Sequence, residues 1–238
     1  MNIFYDENMP FATEFFGDFF GDDTHLTSFN GRAIDTEQVA DADVLLVRSI
    51  TKVNELLLSK NNNLAFVGTA TIGVDHIDQP YLASRDVTFT SSPGCNAISV
   101  AEYVLSSLVI LSEKYSFSLN DKTVGIVGGG NTGTRTSEKF KALGIQYKIC
   151  DPLLEAAGDE REFSSLEDVL DCDIITLHVP LTRTGEHPTF HLIDDARLKQ
   201  LTADQILINA CRGEIIDNQA LLSLKQGNYE TKLVLDVW

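Results

Sequence analysis

Residues 123–151 read TVGIVGGGNTGTRTSEKFKALGIQYKICD. An apolar, β-branched run at 124–127 leads into Gly128, Gly130 and Gly133 in the order G-x-G-x-x-G. A helical stretch follows through Leu143, and a second apolar run at 147–150 ends on Asp151. This is the sequence form of a strand, a phosphate-binding turn, a helix and a second strand that together hold a dinucleotide. Gly128 permits the tight turn, Gly130 lets a pyrophosphate approach the backbone, and Gly133 lets the helix pack close to the strand. Asn131 and Thr132 open the helix, whose first amides and positive dipole end favour phosphate. Asp151 stands 18 residues after Gly133, where a carboxylate accepts hydrogen bonds from both ribose hydroxyls. Three glycines alone would be a weak signal; the strand before them, the helix after them and the acid at this distance make the reading. A carboxylate there also repels the 2′-phosphate of NADP, and Pro152 and Leu153 supply no cation, so NAD is the expected cofactor.

Outward from this unit the same alternation continues. Apolar runs at 174–177, 206–209 and 233–237 are separated by helical patterns, the signature of a doubly wound α/β domain. Upstream, 96–115 is a long helix with an apolar stripe at Ala101, Val104, Leu105, Leu108 and Leu111. Before it, strands at 2–6, 44–47, 64–67 and 87–90 alternate with short helices at 51–58 and 79–84, which predicts a second parallel sheet. Two domains are expected, 1–95 and 96–238. The last strand runs to Trp238 with no covering helix after it, so the sequence reads as truncated at its carboxyl end.

Composition narrows the partners. The 238 residues carry a formal charge of −17 with no basic cluster, which argues against nucleic acid or an anionic membrane as the main partner. Residues 1–31 lack Lys and Arg, so the basic start of a secretory signal is absent and a cytoplasmic location is expected. The apolar stretch 97–111 is too short and too interrupted by Glu102, Ser106 and Ser107 for a membrane span. Cys95, Cys150, Cys172 and Cys211 are scattered, and the five histidines share no ligand spacing, so no metal site is expected. His178 reads as structural, Asp75 and Asp78 as helix caps, and neither Cys95 nor Cys211 as a nucleophile.

The run INACRGEIID brings Arg212 to the carboxyl end of the fourth strand of the second series, the edge at which open α/β sheets bind ligands. A guanidinium there can fork onto a substrate carboxylate and polarise an adjacent oxygen. Position alone leaves a surface ion pair equally open. With VGIVGGGNTG, HVPLT and LVLDVW in the same order, the sequence resembles the D-isomer-specific 2-hydroxyacid dehydrogenase family over nearly its whole length. In the amino-terminal half DENMP, VRSITKVN, FVGTATIGVDHID and SPGCNA resemble members that act on a phosphorylated hydroxy acid.

The resemblance implies a flavodoxin-like substrate domain over 1–95 and an NAD-binding Rossmann domain over 96–238, incomplete at its end. It implies hydride transfer from C2 of a phosphorylated small-molecule hydroxy acid to NAD, and a homodimer in the complete protein. Arg212 takes the catalytic arginine role, Asp151 the adenosine ribose, Val179 a main-chain contact, Ala210 and Cys211 positions beside the cofactor, and Asp236 the nicotinamide carboxamide. Ser49 and Thr69 match substrate-contacting positions, and each follows a strand whose end is expected to face a crevice between the domains. Arg48 and Lys52 nearby stand open between a role on the substrate anion and a surface ion pair. The family's Glu and His, which supply the base, follow the LDVW strand, so this chain by itself is expected to be inactive or nearly so. A related dehydrogenase for glycerate or phosphoglycerate, and a non-catalytic NAD-sensing protein, stay open at the level of sequence.

Overall fold

The computed structural model describes residues 1–21 and 23–238. The chain divides into two compact units, Met1–Cys95 and Asn96–Trp238. Each is built on a five-stranded parallel sheet.

In the first unit the strands are β1 (Asn2–Asp6), β2 (His25–Phe29), β3 (Val44–Val47), β4 (Phe66–Thr69) and β5 (Thr88–Thr90). Their spatial order is β2-β1-β3-β4-β5. This is the flavodoxin-like order, and its switch point lies between β1 and β3, where successive connections leave in opposite directions. Helices α1 (Ala12–Phe20) and α2 (Gln79–Ser84) belong to this unit. α2 starts where expected, because the Asp78 carboxylate accepts the Tyr81 amide at 3.0 Å. The core gathers Leu45, Val47, Val53, Leu58, Val67 and Leu82. Burying each such side chain stabilises the unit by about 1.5–3 kcal/mol before chain entropy is counted.

Two features differ from the sequence reading. α1 and β2 fall between residues 6 and 44, where the sequence reading assigns no element. β2 is an edge strand paired only with β1 and mostly exposed, so its HLTSF lacks the apolar run that marks a buried strand. The phenylalanines of α1, Phe15, Phe16, Phe19 and Phe20, fall on one side of the helix, yet Phe15 and Phe19 are 69% and 80% exposed, so that side is only partly buried. Conversely, residues 51–58 form no helix. Val53 is drawn into a parallel bridge with Ile77, donating to His76 and accepting from Asp78, both at 2.9 Å. What remains of the segment is one turn closed by Leu58 N–H to the Asn54 carbonyl, too short to propagate.

The second unit contains α3 (Ala97–Tyr115), β6 (Thr123–Val127), α4 (Asn131–Ala142), β7 (Gln146–Cys150), α5 (Pro152–Ala156), α6 (Leu166–Leu170), β8 (Ile174–Leu177), α7 (Asp195–Gln200), β9 (Ile206–Asn209), α8 (Asn218–Lys225) and β10 (Lys232–Leu235). The strand order β10-β9-β8-β6-β7 repeats that of the first unit, with the switch point between β6 and β8. β8 and β9 are buried at every residue, as strands covered on both faces must be. α3 packs its Ala101, Val104 and Leu108 stripe into this unit, alongside α4. Among the described residues no helix is long and apolar enough to cross a membrane.

Candidate active site

The turn after β6 is held by backbone sterics. Gly128 has φ +96°, donates its N–H to the Cys150 carbonyl at 2.8 Å, and would place a Cβ 2.5 Å from the His178 carbonyl oxygen. A Cβ on Gly133 would overlap the Gly128 carbonyl oxygen, so α4 can start this close to β6 only with glycine there. At Gly130, by contrast, nothing lies within 4 Å of where a Cβ would be. Gly130 is the extended residue before α4, and no side chain caps that helix. The amides of Asn131, Thr132 and Gly133 therefore have no side-chain cap at this positive helix end, which fits a pyrophosphate.

Asp151 ends β7 beside this turn. Its Oδ2 accepts the Gly129 N–H at 2.8 Å and its Oδ1 accepts the Leu154 N–H at 3.1 Å, capping α5. Each carboxylate oxygen keeps a second acceptor site for a ribose hydroxyl. The sequence reading missed the cation next to it. Arg161 donates from Nη1 to the Gly129 carbonyl and to Thr134 Oγ1, both at 2.9 Å, while its Nε and Nη2 grip Asp159 at 2.8 Å each. The guanidinium holds the Asp159 carboxyl down at about 2. No motif marks Arg161; only the return of the chain after α5 brings it to the turn.

His178 and Val179 follow β8 on the other side of the switch point. Val179 is half-buried, and its Cγ1 would lie 2.9 Å from a Cβ on Gly128. The His178 ring is buried, with Nε2 2.9 Å from Thr176 Oγ1 and no hydrogen-bond partner at Nδ1 among the described residues. Burial pushes its pKa from 6.5 down to about 4, so the ring is neutral at pH 7 and packs rather than titrates. The stability this neutral ring allows is complete above pH 6.5 and is lost as pH falls from there towards about 4, by about 3 kcal/mol in all. Urea midpoints measured between pH 7 and pH 5 should fall more steeply for the native chain than for His178→Asn. Parallel slopes would contradict the buried neutral ring.

The segment after β9 is organised by Asn209, which is 1% exposed. Its Oδ1 accepts the Cys211 N–H at 3.2 Å and the Cys211 thiol at 3.1 Å, and its Nδ2 donates to the Arg212 carbonyl at 2.9 Å. Its own carbonyl accepts the Asp236 N–H at 3.0 Å. The buried amide thereby ties Cys211 to Arg212, and the backbone carbonyl of the same residue holds Asp236 beside them. The Arg212 side chain folds over this turn, with Nη1 2.9 Å from the Cys211 carbonyl. Burial raises the Cys211 thiol to about 11, which keeps it protonated and unreactive. The Asp236 side chain is exposed.

In the first unit, Ser49 lies exposed just past β3, on a turn closed by Thr51 N–H to the Arg48 carbonyl at 3.1 Å. Thr69 differs from the expectation of an outward hydroxyl. It is 3% exposed, and its Oγ1 meets His76 Nε2 at 2.9 Å and Thr71 Oγ1 at 2.8 Å. Being the last residue of β4, it points its side chain into the layer beneath, and Thr71, half-exposed, carries the hydroxyl nearer solvent.

The family model described as D-isomer specific 2-hydroxyacid dehydrogenase, NAD binding domain, matches residues 107–238. The chain belongs to the D-isomer specific 2-hydroxyacid dehydrogenase family. Its relatives include the erythronate-4-phosphate dehydrogenase of Colwellia psychrerythraea, 58% identical over 100% of this chain and 65% of that protein. The protein of the same name from Tolumonas auensis is 53% identical over 100% of this chain and 63% of its own length. The chain thus spans less than two thirds of these relatives. Among solved structures, D-lactate dehydrogenase of Aquifex aeolicus, complexed with NAD and lactic acid, superposes with a TM-score of 0.81 at 26% identity, covering all of this chain and 77% of that one. NAD-bound 3-phosphoglycerate dehydrogenase of Entamoeba histolytica gives 0.83 at 25% identity, covering 100% and 80%. As a member of the family the chain has an NAD-binding domain, and the glycine turn, Asp151 and Arg212 all lie within its matched span.

Proposed function

We propose that the chain binds NAD and belongs to an enzyme that oxidises 4-phospho-D-erythronate at C2 to 3-hydroxy-2-oxo-4-phosphooxybutanoate, a step of pyridoxal 5′-phosphate biosynthesis. For the cofactor, the observation that carries the reading is the open backbone at Gly130 beside an uncapped helix end, with Asp151 held next to it. For the substrate it is identity of 58% and 53%, over the whole of this chain, to proteins that bear that activity in their names.

The residues present suit these tasks. The amides of Gly130, Asn131, Thr132 and Gly133 hold the pyrophosphate, Asp151 the adenosine ribose, Val179, Ala210 and Cys211 the main-chain wall, and Asp236 the carboxamide. Bound NAD supplies the hydride acceptor. Arg212 forks onto the substrate carboxylate and stabilises negative charge building on the C2 oxygen as the C2–H bond breaks. Asn209 holds the Arg212 backbone, so the turn that carries the guanidinium is already formed before substrate arrives. Ser49 and Thr69 are assigned to the substrate, Ser49 through its exposed hydroxyl and Thr69 through its backbone and Thr71. The proton of the C2 hydroxyl leaves to a base, and a homodimer is the proposed assembly.

NADH fluorescence titration of the chain tests the cofactor arm: saturable binding is expected, weaker by about tenfold or more in Asp151→Ala and tighter for NADH than for NADPH. Failure of NADH to bind, or equal binding by Asp151→Ala, would overturn it. NADH formation with 4-phosphoerythronate by the enzyme to which the chain belongs, set against glycerate and phosphoglycerate, tests the substrate. Faster turnover of either of the other two acids would replace the assignment.

A further inference from the structure

Among the described residues Arg161 is the guanidinium that hydrogen-bonds to the glycine turn, and those bonds show that it is restrained. Nη1 is divided between the Gly129 carbonyl and Thr134 Oγ1, and Nε and Nη2 are both taken by Asp159. The Asp159 carboxylate also accepts the Arg161 backbone N–H at 3.1 Å, and the guanidinium lies 5.5 Å over the Phe163 ring. Four of the five N–H donors of an arginine are so committed. The Gly129 peptide is held from both ends, its N–H by Asp151 and its C=O by Arg161. The cation therefore sits one peptide unit away from the carboxylate assigned to the ribose, within range to interact with it electrostatically.

We propose that Arg161 is a specificity-determining residue for the dinucleotide and that Asp159 sets its direction, by holding the guanidinium on the turn and away from a 2′-phosphate. This rests on the dinucleotide reading above. Two carboxylates, Asp151 and Asp159, face one guanidinium, so the pocket keeps a net negative charge that opposes a phosphate dianion. Neutralising Asp159 removes one repulsive charge and frees two donors in the fork geometry that matches phosphate. The chain thus holds the cation that an NADP site requires, occupied by a partner in its own loop through three hydrogen bonds.

The test is a set of NADH and NADPH fluorescence titrations on the chain and three variants. In Asp159→Asn, and in Asp159→Ala as a second form of the same change, the NADPH-to-NADH affinity ratio should rise by about tenfold. The double variant Asp159→Asn/Arg161→Gln should lose that rise, since it restores the native net charge and lacks the guanidinium donors. Arg161→Gln alone should weaken NADH and leave the ratio low. If NADH binds the native chain but the ratio is unmoved by either Asp159 variant, the inference fails while the dinucleotide reading stands. A rise of equal size in the double variant also overturns it, because the ratio would then move without the guanidinium. If NADH does not bind the native chain, both fall together.

Discussion

Gly133→Val is expected to abolish NADH binding and to destabilise the second unit by about 3 kcal/mol or more. The first added carbon would occupy the position of the Gly128 carbonyl oxygen, and valine adds two more. Neither side can give way cheaply. Gly128 is at φ +96°, tied to Cys150 behind it and pressed against the His178 carbonyl. α4 is anchored at its far end by Phe140, which is 1% exposed. The helix must tilt away from β6, carrying its first amides off the phosphate position, and a displacement of about 1 Å at such a site costs about 10²-fold. Urea unfolding and NADH titration of the same preparation check both parts. Native-like values in both would show that the turn tolerates a side chain and that its glycine is incidental.

Arg212→Gln is expected to lower kcat with 4-phosphoerythronate in the native enzyme by about 10²–10³-fold while leaving NADH affinity within about threefold of its starting value. The split follows from how the residue is held. Its backbone is fixed by Asn209 through the Arg212 carbonyl, so the turn beside the cofactor survives loss of the side chain. The charge is what disappears, and with it the stabilisation of an oxygen that becomes negative only in the transition state. Arg212→Lys should recover part of the rate, because an ammonium keeps the charge without the planar fork. Steady-state kinetics alongside NADH titration measures both terms. An unchanged kcat in Arg212→Gln would remove Arg212 from the reaction.

What could be read in the sequence is what local chemistry dictates. The strands at 44–47, 174–177 and 206–209 were legible to the residue because strands in covered parallel sheets read as short, mostly apolar runs. The glycine turn was legible because only glycine satisfies a positive φ at Gly128 and contact with bare backbone at Gly133. Asp151 was legible because it follows the next strand at a fixed distance.

Other features depend on chain segments far apart in sequence. Residues 51–58 carry a helical pattern, yet Val53 pairs with Ile77 because the packed loop offers it a strand-like partner that one turn of helix cannot match. Thr69 was assigned correctly to a strand end, but which way its hydroxyl turned depended on His76, seven residues on and folded back beneath it. Asn209 looked like the polar end of an apolar strand, and its role as the brace of Arg212 and Asp236 appears only once β10 lies beside β9. By itself, then, the sequence determined the two parallel sheets and the tight glycine turn, since these follow from hydrophobic period and backbone sterics within a few residues. Tertiary structure alone decided where Arg161, Asp159 and the buried hydroxyls point, because a side-chain hydrogen bond is fixed by whichever distant donor or acceptor the fold brings within about 3 Å.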